Sequence, residues 1–298
     1  YAIEWPRAPD AAWLPAPTEL AALAGPLLDG LAREHGLDDY QQAFLALESL
    51  SADWIVRALA ELGWRPAAGE RVEAAALARA LGVAPRYHRL LPRLLAILAE
   101  DGVLRAEGGA WTVLHWPTPA DPMQRLPALL QRHPAARPRF TLTANCGEAL
   151  GGILRGAVDP LHRLFPDGSA ALAEALYRDA PEAKAYNQLV RETVRAALRQ
   201  LPPGQRLRVL EVGGGTGGTT AWLAPALPAG RCDYLFTDVG PSMVARAKEA
   251  FAAHRFMAFQ ALDLEQDLAA QGLDGRRFDL VIASNVVHAS ADLRRTLG

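Results

Sequence analysis

Four short stretches in the last third of the chain carry side chains that could do chemistry at conspicuous places. Glu211 stands just before Gly213-Gly-Gly-Thr-Gly-Gly-Thr-Thr220, at the end of an apolar run that begins at Leu207. Asp238 ends Tyr234-Leu-Phe-Thr-Asp, Asp263 follows Gln260-Ala-Leu, and Asn285 and His288 follow Phe278 to Ser284. Each apolar run is of strand length, so every acid or imidazole falls at a strand's carboxyl end. Carboxylates there can accept from hydroxyls and amines or face a cation, and a neutral imidazole, titrating near about 6.5, can take a proton from an acidic carbon.

The glycines fit two ligands. Gly213, Gly215 and Gly218 satisfy the dinucleotide pattern GxGxxG, while Gly213, Gly215 and Gly217, with Thr216 between them, satisfy the GxGxG of S-adenosylmethionine (SAM) methyltransferases. Spacing alone does not separate them. Glu211 favours SAM, because a carboxylate can pair with the ammonium of a methionine moiety and would repel a pyrophosphate. Asp238 lies about 20 residues beyond the glycines, where a carboxylate accepts both hydroxyls of a ribose. Asp263, with Leu264 beside it, suits an adenine edge. Asn285 and His288 then fall near the sulfonium end. A histidine in that place suits a carbon flanked by two carbonyls, whose enolate is delocalised, and does not suit an aliphatic alcohol.

The elements that must hold these residues are strands Leu207–Val212, Tyr234–Asp238, Phe256–Leu262 and Phe278–Ser284, alternating with helices or loops. Such alternation predicts a class I, Rossmann-like α/β core over 206–298 with a parallel sheet and a ligand at its carboxyl edge. The preceding 18–205 predicts a mainly helical lid or cap. Leu45, Leu47, Leu50, Trp54, Ile55, Ala58, Leu59 and Leu62 recur at helical spacing. About 72–113 has a winged-helix cadence, with one helix to Leu81, a turn at Gly82-Val83, a second helix from Pro85 to Glu100, and a two-stranded wing around Gly108-Gly109. Thr118 to Pro138 reads as a proline-rich crossing. One helix is expected over Phe140 to Leu154 and another from Glu182 to Leu201, which makes Tyr177, Tyr186 and Asn187 substrate-pocket candidates. Residues 1–17 read as a linker.

The 298 residues are half hydrophobic with a net charge of −2, which gives no electrostatic case for nucleic acid, and Arg86, Arg89 and Arg93 sit on an otherwise leucine-rich helix. Two cysteines and seven scattered histidines suggest neither a disulfide framework nor a metal site. No signal peptide or membrane-length apolar run appears, so a cytoplasmic location is expected. The absence of an initiator Met and an ending just after an apolar strand suggest a piece of something longer.

Glu211-Val-Gly-Gly-Gly-Thr-Gly-Gly-Thr-Thr220, Phe236-Thr-Asp-Val-Gly-Pro-Ser242 and Asn285-Val-Val-His-Ala289 together resemble the C-methyltransferase domain of modular polyketide synthases. The likeness extends through Cys146-Gly-Glu148, Leu154 to Leu161, Leu164-Phe-Pro166 and Ala185-Tyr-Asn187, and Tyr1-x-x-x-Trp5 is similar to a linker in such synthases. The resemblance implies SAM as cofactor, His288 as catalytic residue, and methylation of the α-carbon of a β-ketoacyl chain held as a thioester on an acyl carrier protein, with neighbouring synthase domains as partners. Gly214 stands where that family usually has Ala, and Gly240 where it usually has Ser. The family also pairs its histidine with a glutamate on the next strand, so the sheet is expected to be truncated after its fourth strand. Two further readings are a non-catalytic methyltransferase remnant within a synthase and a stand-alone small-molecule O-methyltransferase.

Overall fold

The computed structural model of the chain describes residues 15–118 and 121–297, so most of the expected linker lies outside the described residues. The chain forms two compact units, Leu37–Leu176 and a second made by the residues up to Gly36 together with those from Tyr177 onward.

In the first unit, the helix Leu37–Glu61 buries Leu50, Trp54, Ile55, Ala58 and Leu59 along one stripe, as the spacing predicts, whereas Leu45 of the same expected stripe is exposed and Leu47 only half-buried. The winged-helix cadence is present with two differences. The strands are three, β1 (Arg71–Glu73), β2 (Leu104–Glu107) and β3 (Ala110–Val113), in antiparallel order β1-β3-β2. The second helix begins at Leu90, after a 3-10 turn at Pro85–Tyr87. Pro92 explains the delay: its ring would strike the carbonyl four residues back, so a helix can start only where Pro92 falls in the first turn. The expected helix over 140–154 is two, Arg137–Glu148 and Leu150–Leu154, and the proline-rich crossing contains a helix, Leu126–Arg132, with Pro127 in its first turn. The Arg155 guanidinium donates to the Leu81 and Leu62 carbonyls, both at 3.2 Å, satisfying acceptors that helix ends leave unpaired.

In the second unit, β4 (Leu207–Glu211), β5 (Cys232–Asp238), β6 (Met257–Ala261) and β7 (Leu280–Ile282) form a parallel sheet in the order β6-β5-β4-β7. The fourth strand therefore lies against the first, which brings the stretch after Ile282 beside the glycine turn after Glu211. Side-chain alternation divides the core. Leu207, Val209, Tyr234 and Phe236 pack on one face with Val190, Val194 and Leu198, while Leu210, Val212 and Leu235 face Leu264, Leu273, Phe278 and Val286 on the other. The helix Pro181–Leu198, expected as part of the cap, is thus packed on the sheet, and the helix Pro17–Glu34 lies along it, with Gln188 Oε1 3.0 Å from the His35 ring nitrogen Nε2. No helix among the described residues is long and apolar enough to cross a membrane, and no cluster of three or more His, Cys, Asp or Glu among them could hold a metal ion.

Candidate active site

The glycine turn is held from several sides and open at one place. Gly213, Gly215 and Gly217 all have left-handed backbone, with φ of 60°, 54° and 75°. A Cβ on Gly213 would overlap Val286, one on Gly214 would overlap the Phe236 ring, and one on Gly217 would stand 2.6 Å from the Phe251 ring. Phe236 thus accounts for glycine at 214, where the family resemblance expects alanine. At Gly215 the nearest atom to such a Cβ is the Gly213 carbonyl at 3.9 Å. The turn is therefore packed shut around a single open position, where a ligand can lie against backbone, and half-buried Thr216 is next to it.

Left-handed strain costs a non-glycine about 1–2 kcal/mol, and overpacking adds about 1–3 kcal/mol. Gly217→Ala is therefore expected to lower unfolding free energy by clearly more than Gly275→Ala, because Gly275 has φ of 64° but open space around it. Parallel denaturant titrations check this, and equal losses would mean that the Phe251 contact yields freely.

Asp238 is the acid best placed for a ligand at that opening. Its Oδ2 accepts from the Gly215 amide at 2.9 Å and its Oδ1 from the Gly240 amide at 2.8 Å, and its backbone carbonyl accepts from Leu262 N–H at 2.9 Å. Its carboxylate thus joins the turns that follow β4 and β5, and its backbone carbonyl ties in the end of β6. Beyond β6, Asp263 Oδ1 accepts from Glu265 N–H at 2.9 Å, while Asp263 Oδ2 and the Leu264 N–H make no hydrogen bond among the described residues. They leave an acceptor and a donor on adjacent residues, the pattern that pairs with an adenine N6 amine and N1.

Glu211 differs from expectation. It is 1% exposed, and its Oε2 accepts from Thr220 Oγ at 2.5 Å and Tyr234 Oη at 2.8 Å. Burial pushes its carboxyl up from the ordinary value, against the pull of those two hydroxyls, and burial likewise pushes the Tyr234 hydroxyl well up. The side chain shares the face of Val209, which pairs in register with Tyr234, and so it turns inward under the helix Gly218–Leu223. In this arrangement the carboxylate braces the turn from behind, and an ammonium would meet its charge across the loop. Thr220 and Tyr234 were not singled out by the sequence. The alternation of β4 and β5 could have found Tyr234, but only once their register was known.

After β7, the chain bends at Asn285, the sole non-glycine among the described residues with left-handed backbone, at φ 54°. Asn285 Nδ2 donates to Tyr177 Oη at 3.3 Å, so these two candidates do come together. Val286 rests on Gly213, and the turn Val287–Ala289 carries His288, whose exposed ring makes no hydrogen bond or ion pair among the described residues. Asn187 is buried and spent elsewhere: its Nδ2 donates to the Tyr177 carbonyl at 3.2 Å and its Oδ1 accepts from Thr219 at 2.9 Å. The Tyr177 carbonyl also lies 2.6 Å from where a Gly218 Cβ would stand. Asn187 is therefore a clamp that presses the Tyr177 segment onto the cofactor-loop helix rather than a pocket residue. Tyr186, one position earlier on the helix, is 61% exposed and does not join the group.

The arrangement matches known proteins. Residues 210–298 match a family described as a methyltransferase domain. The crystal structure of the CurJ carbon methyltransferase is 37% identical, with a TM-score of 0.88 over 94% of this chain and 75% of that one. The DszA carbon methyltransferase is 36% identical, with a TM-score of 0.78 over 96% and 71%. The non-reducing polyketide synthase sorB of Penicillium rubens is 36% identical over 70% of this chain, a match that spans 8% of that protein. The glycine turn with a single open face, Asp238 beneath it and the unpaired edge of Asp263-Leu264 fit a bound SAM. This chain belongs to the SAM-dependent carbon methyltransferases of polyketide synthases.

Proposed function

We propose that this domain transfers a methyl group from SAM to the α-carbon of a β-ketoacyl chain held as a thioester on an acyl carrier protein, with His288 as general base. The observation that carries the reading is the seat of His288. Its segment is pressed onto the cofactor turn through Val286 and Gly213, yet its ring is engaged by no protein group among the described residues. A neutral imidazole so placed can accept the α-proton, which is acidified by the two carbonyls that flank its carbon.

In this reading Asp238 accepts from the ribose hydroxyls, Asp263 and Leu264 meet the adenine edge, and Glu211 supplies negative charge behind the loop at the methionine end. Gly213, Gly215, Thr216 and Gly217 give the cofactor a backbone surface, and Asn285 with Tyr177 borders the transfer point. When bound, SAM would supply an electrophilic methyl group on its sulfonium for transfer to the α-carbon. The contribution of the chain is to fix the attack distance and remove the proton.

The test is incubation of the intact synthase polypeptide with SAM and a β-ketoacyl carrier protein, read by mass spectrometry of the carrier. A gain of one methyl on the acyl chain is expected. SAM binding without that gain would overturn the reading, as would transfer to a free phenol in place of the carrier-bound chain.

A further inference from the structure

The adenine edge just described belongs to a segment, 262–268, that forms neither helix nor strand. Leu262 N–H is held by the Asp238 carbonyl, and Gln266 N–H and Glu265 N–H turn back on Asp263, but the backbone N–H of Asp263 is engaged by one side chain eight residues on. Gln271 Oε1 accepts from the Asp263 amide at 2.8 Å, and Gln271 Nε2 donates to the Asp263 carbonyl at 2.8 Å and to the Asp267 carbonyl at 3.2 Å. The primary amide thus pairs with both backbone groups of a single residue, as a neighbouring strand would, just past the point where β6 ends. Gln271 is itself held. It lies in a turn of π-helix, Ala269–Leu273, closed by Gly272 at φ 83°, and its carbonyl accepts from Gln260 Nε2 on β6 at 2.5 Å. None of these bonds uses Asp263 Oδ2 or the Leu264 N–H.

We infer that Gln271 is a positioning residue for cofactor recognition, holding Asp263 and Leu264 at the angle at which their unpaired acceptor and donor can read adenine and reject a purine with a 6-oxo group. The inference rests on the assignment of Asp263 and Leu264 to the adenine edge. An unsupported segment would sample many backbone states, and both contacts would have to be ordered at the moment of binding, which weakens them without removing either partner.

The experiment measures, by calorimetry on the intact polypeptide, the affinities of S-adenosylhomocysteine and of S-inosylhomocysteine, which carries a 6-oxo purine. The variants are Gln271→Met, Gln260→Leu and Asp263→Asn. In Gln271→Met, binding of the adenine compound is expected to fall roughly tenfold while the inosine compound changes little, so the preference collapses. Turnover at saturating SAM is expected to stay within about twofold, giving a KM effect without a kcat effect. Gln260→Leu is expected to shift the preference in the same direction by less. Should Gln271→Met fail to fold, an unchanged preference in Gln260→Leu would by itself overturn the inference. Equal loss for both compounds in Gln271→Met would make Gln271 merely structural and would also overturn it. If Asp263→Asn abolishes the preference and Gln271→Met keeps it, the inference fails alone. If Asp263→Asn keeps it, the adenine assignment fails and takes the inference with it.

Discussion

His288→Ala is expected to lower turnover by roughly a hundred- to ten-thousand-fold while SAM affinity stays within about twofold. The separation follows from how the residue is held. Its ring has no protein partner among the described residues, so removing it strands no buried donor or acceptor. The surrounding turn is fixed by groups other than the imidazole. Val286 rests on Gly213, Ser290 Oγ donates to the Val287 carbonyl at 2.7 Å, and Glu265 Oε1 accepts from Ala291 N–H at 2.5 Å. The backbone at 288 should therefore stay in place, and the loss should be one of proton transfer. His288→Gln sharpens the point, because an amide keeps polar contact at similar size but has no basic nitrogen, and it is expected to be nearly as slow as alanine. Single-turnover rates beside calorimetric SAM affinities check both variants. An affinity loss matching the rate loss would assign His288 to holding the turn instead.

What the sequence revealed and what it hid follow one physical division. A parallel sheet forces ligand groups to its carboxyl edge, so Glu211, Asp238, Asp263 and His288 could be placed from strand-length apolar runs alone. The direction of each side chain depended on what packs against it. Glu211 points inward to the hydroxyls of Tyr234, which pairs on β5 with Val209 of the same face, and of Thr220 on the next helix, and neither partner is adjacent in sequence. Tyr186 and Asn187 are consecutive, yet helical rotation exposes one and buries the other. Asn187 lies on the stripe of Val190, Val194 and Leu198 that packs on the sheet, and its amide is taken up there by Thr219 and the Tyr177 carbonyl. The helix Pro17–Glu34 lies beside Pro181–Leu198 across more than half the chain, a contact that no local periodicity announces. Gln271 was silent for another reason: a side chain standing in for a strand has no pattern to read.

Asp238→Ala is expected to weaken SAM binding by roughly a hundredfold or more, since hydrogen bonds to a charged group contribute about 1.5–3 kcal/mol each and a ribose would make two. The same carboxylate also joins the Gly215 and Gly240 amides, so its loss leaves two N–H groups unpaired at a site where Asp238 is only 9% exposed. Unfolding free energy without ligand should therefore fall as well, by about 1–3 kcal/mol for each unpaired group. Two comparisons separate these effects. Asp238→Asn restores the volume and one acceptor, but its NH₂ must face one of the two amides, so the turn is mended on one side only. Its unbound stability is expected to recover in part while SAM affinity remains low. A SAM analogue lacking the ribose hydroxyls gives the second comparison. The native protein should bind it far more weakly than SAM, whereas Asp238→Ala should bind the two alike. A preference for the hydroxyls that survived in Asp238→Ala would mean that the ribose is read elsewhere and that Asp238 acts only by shaping the turn.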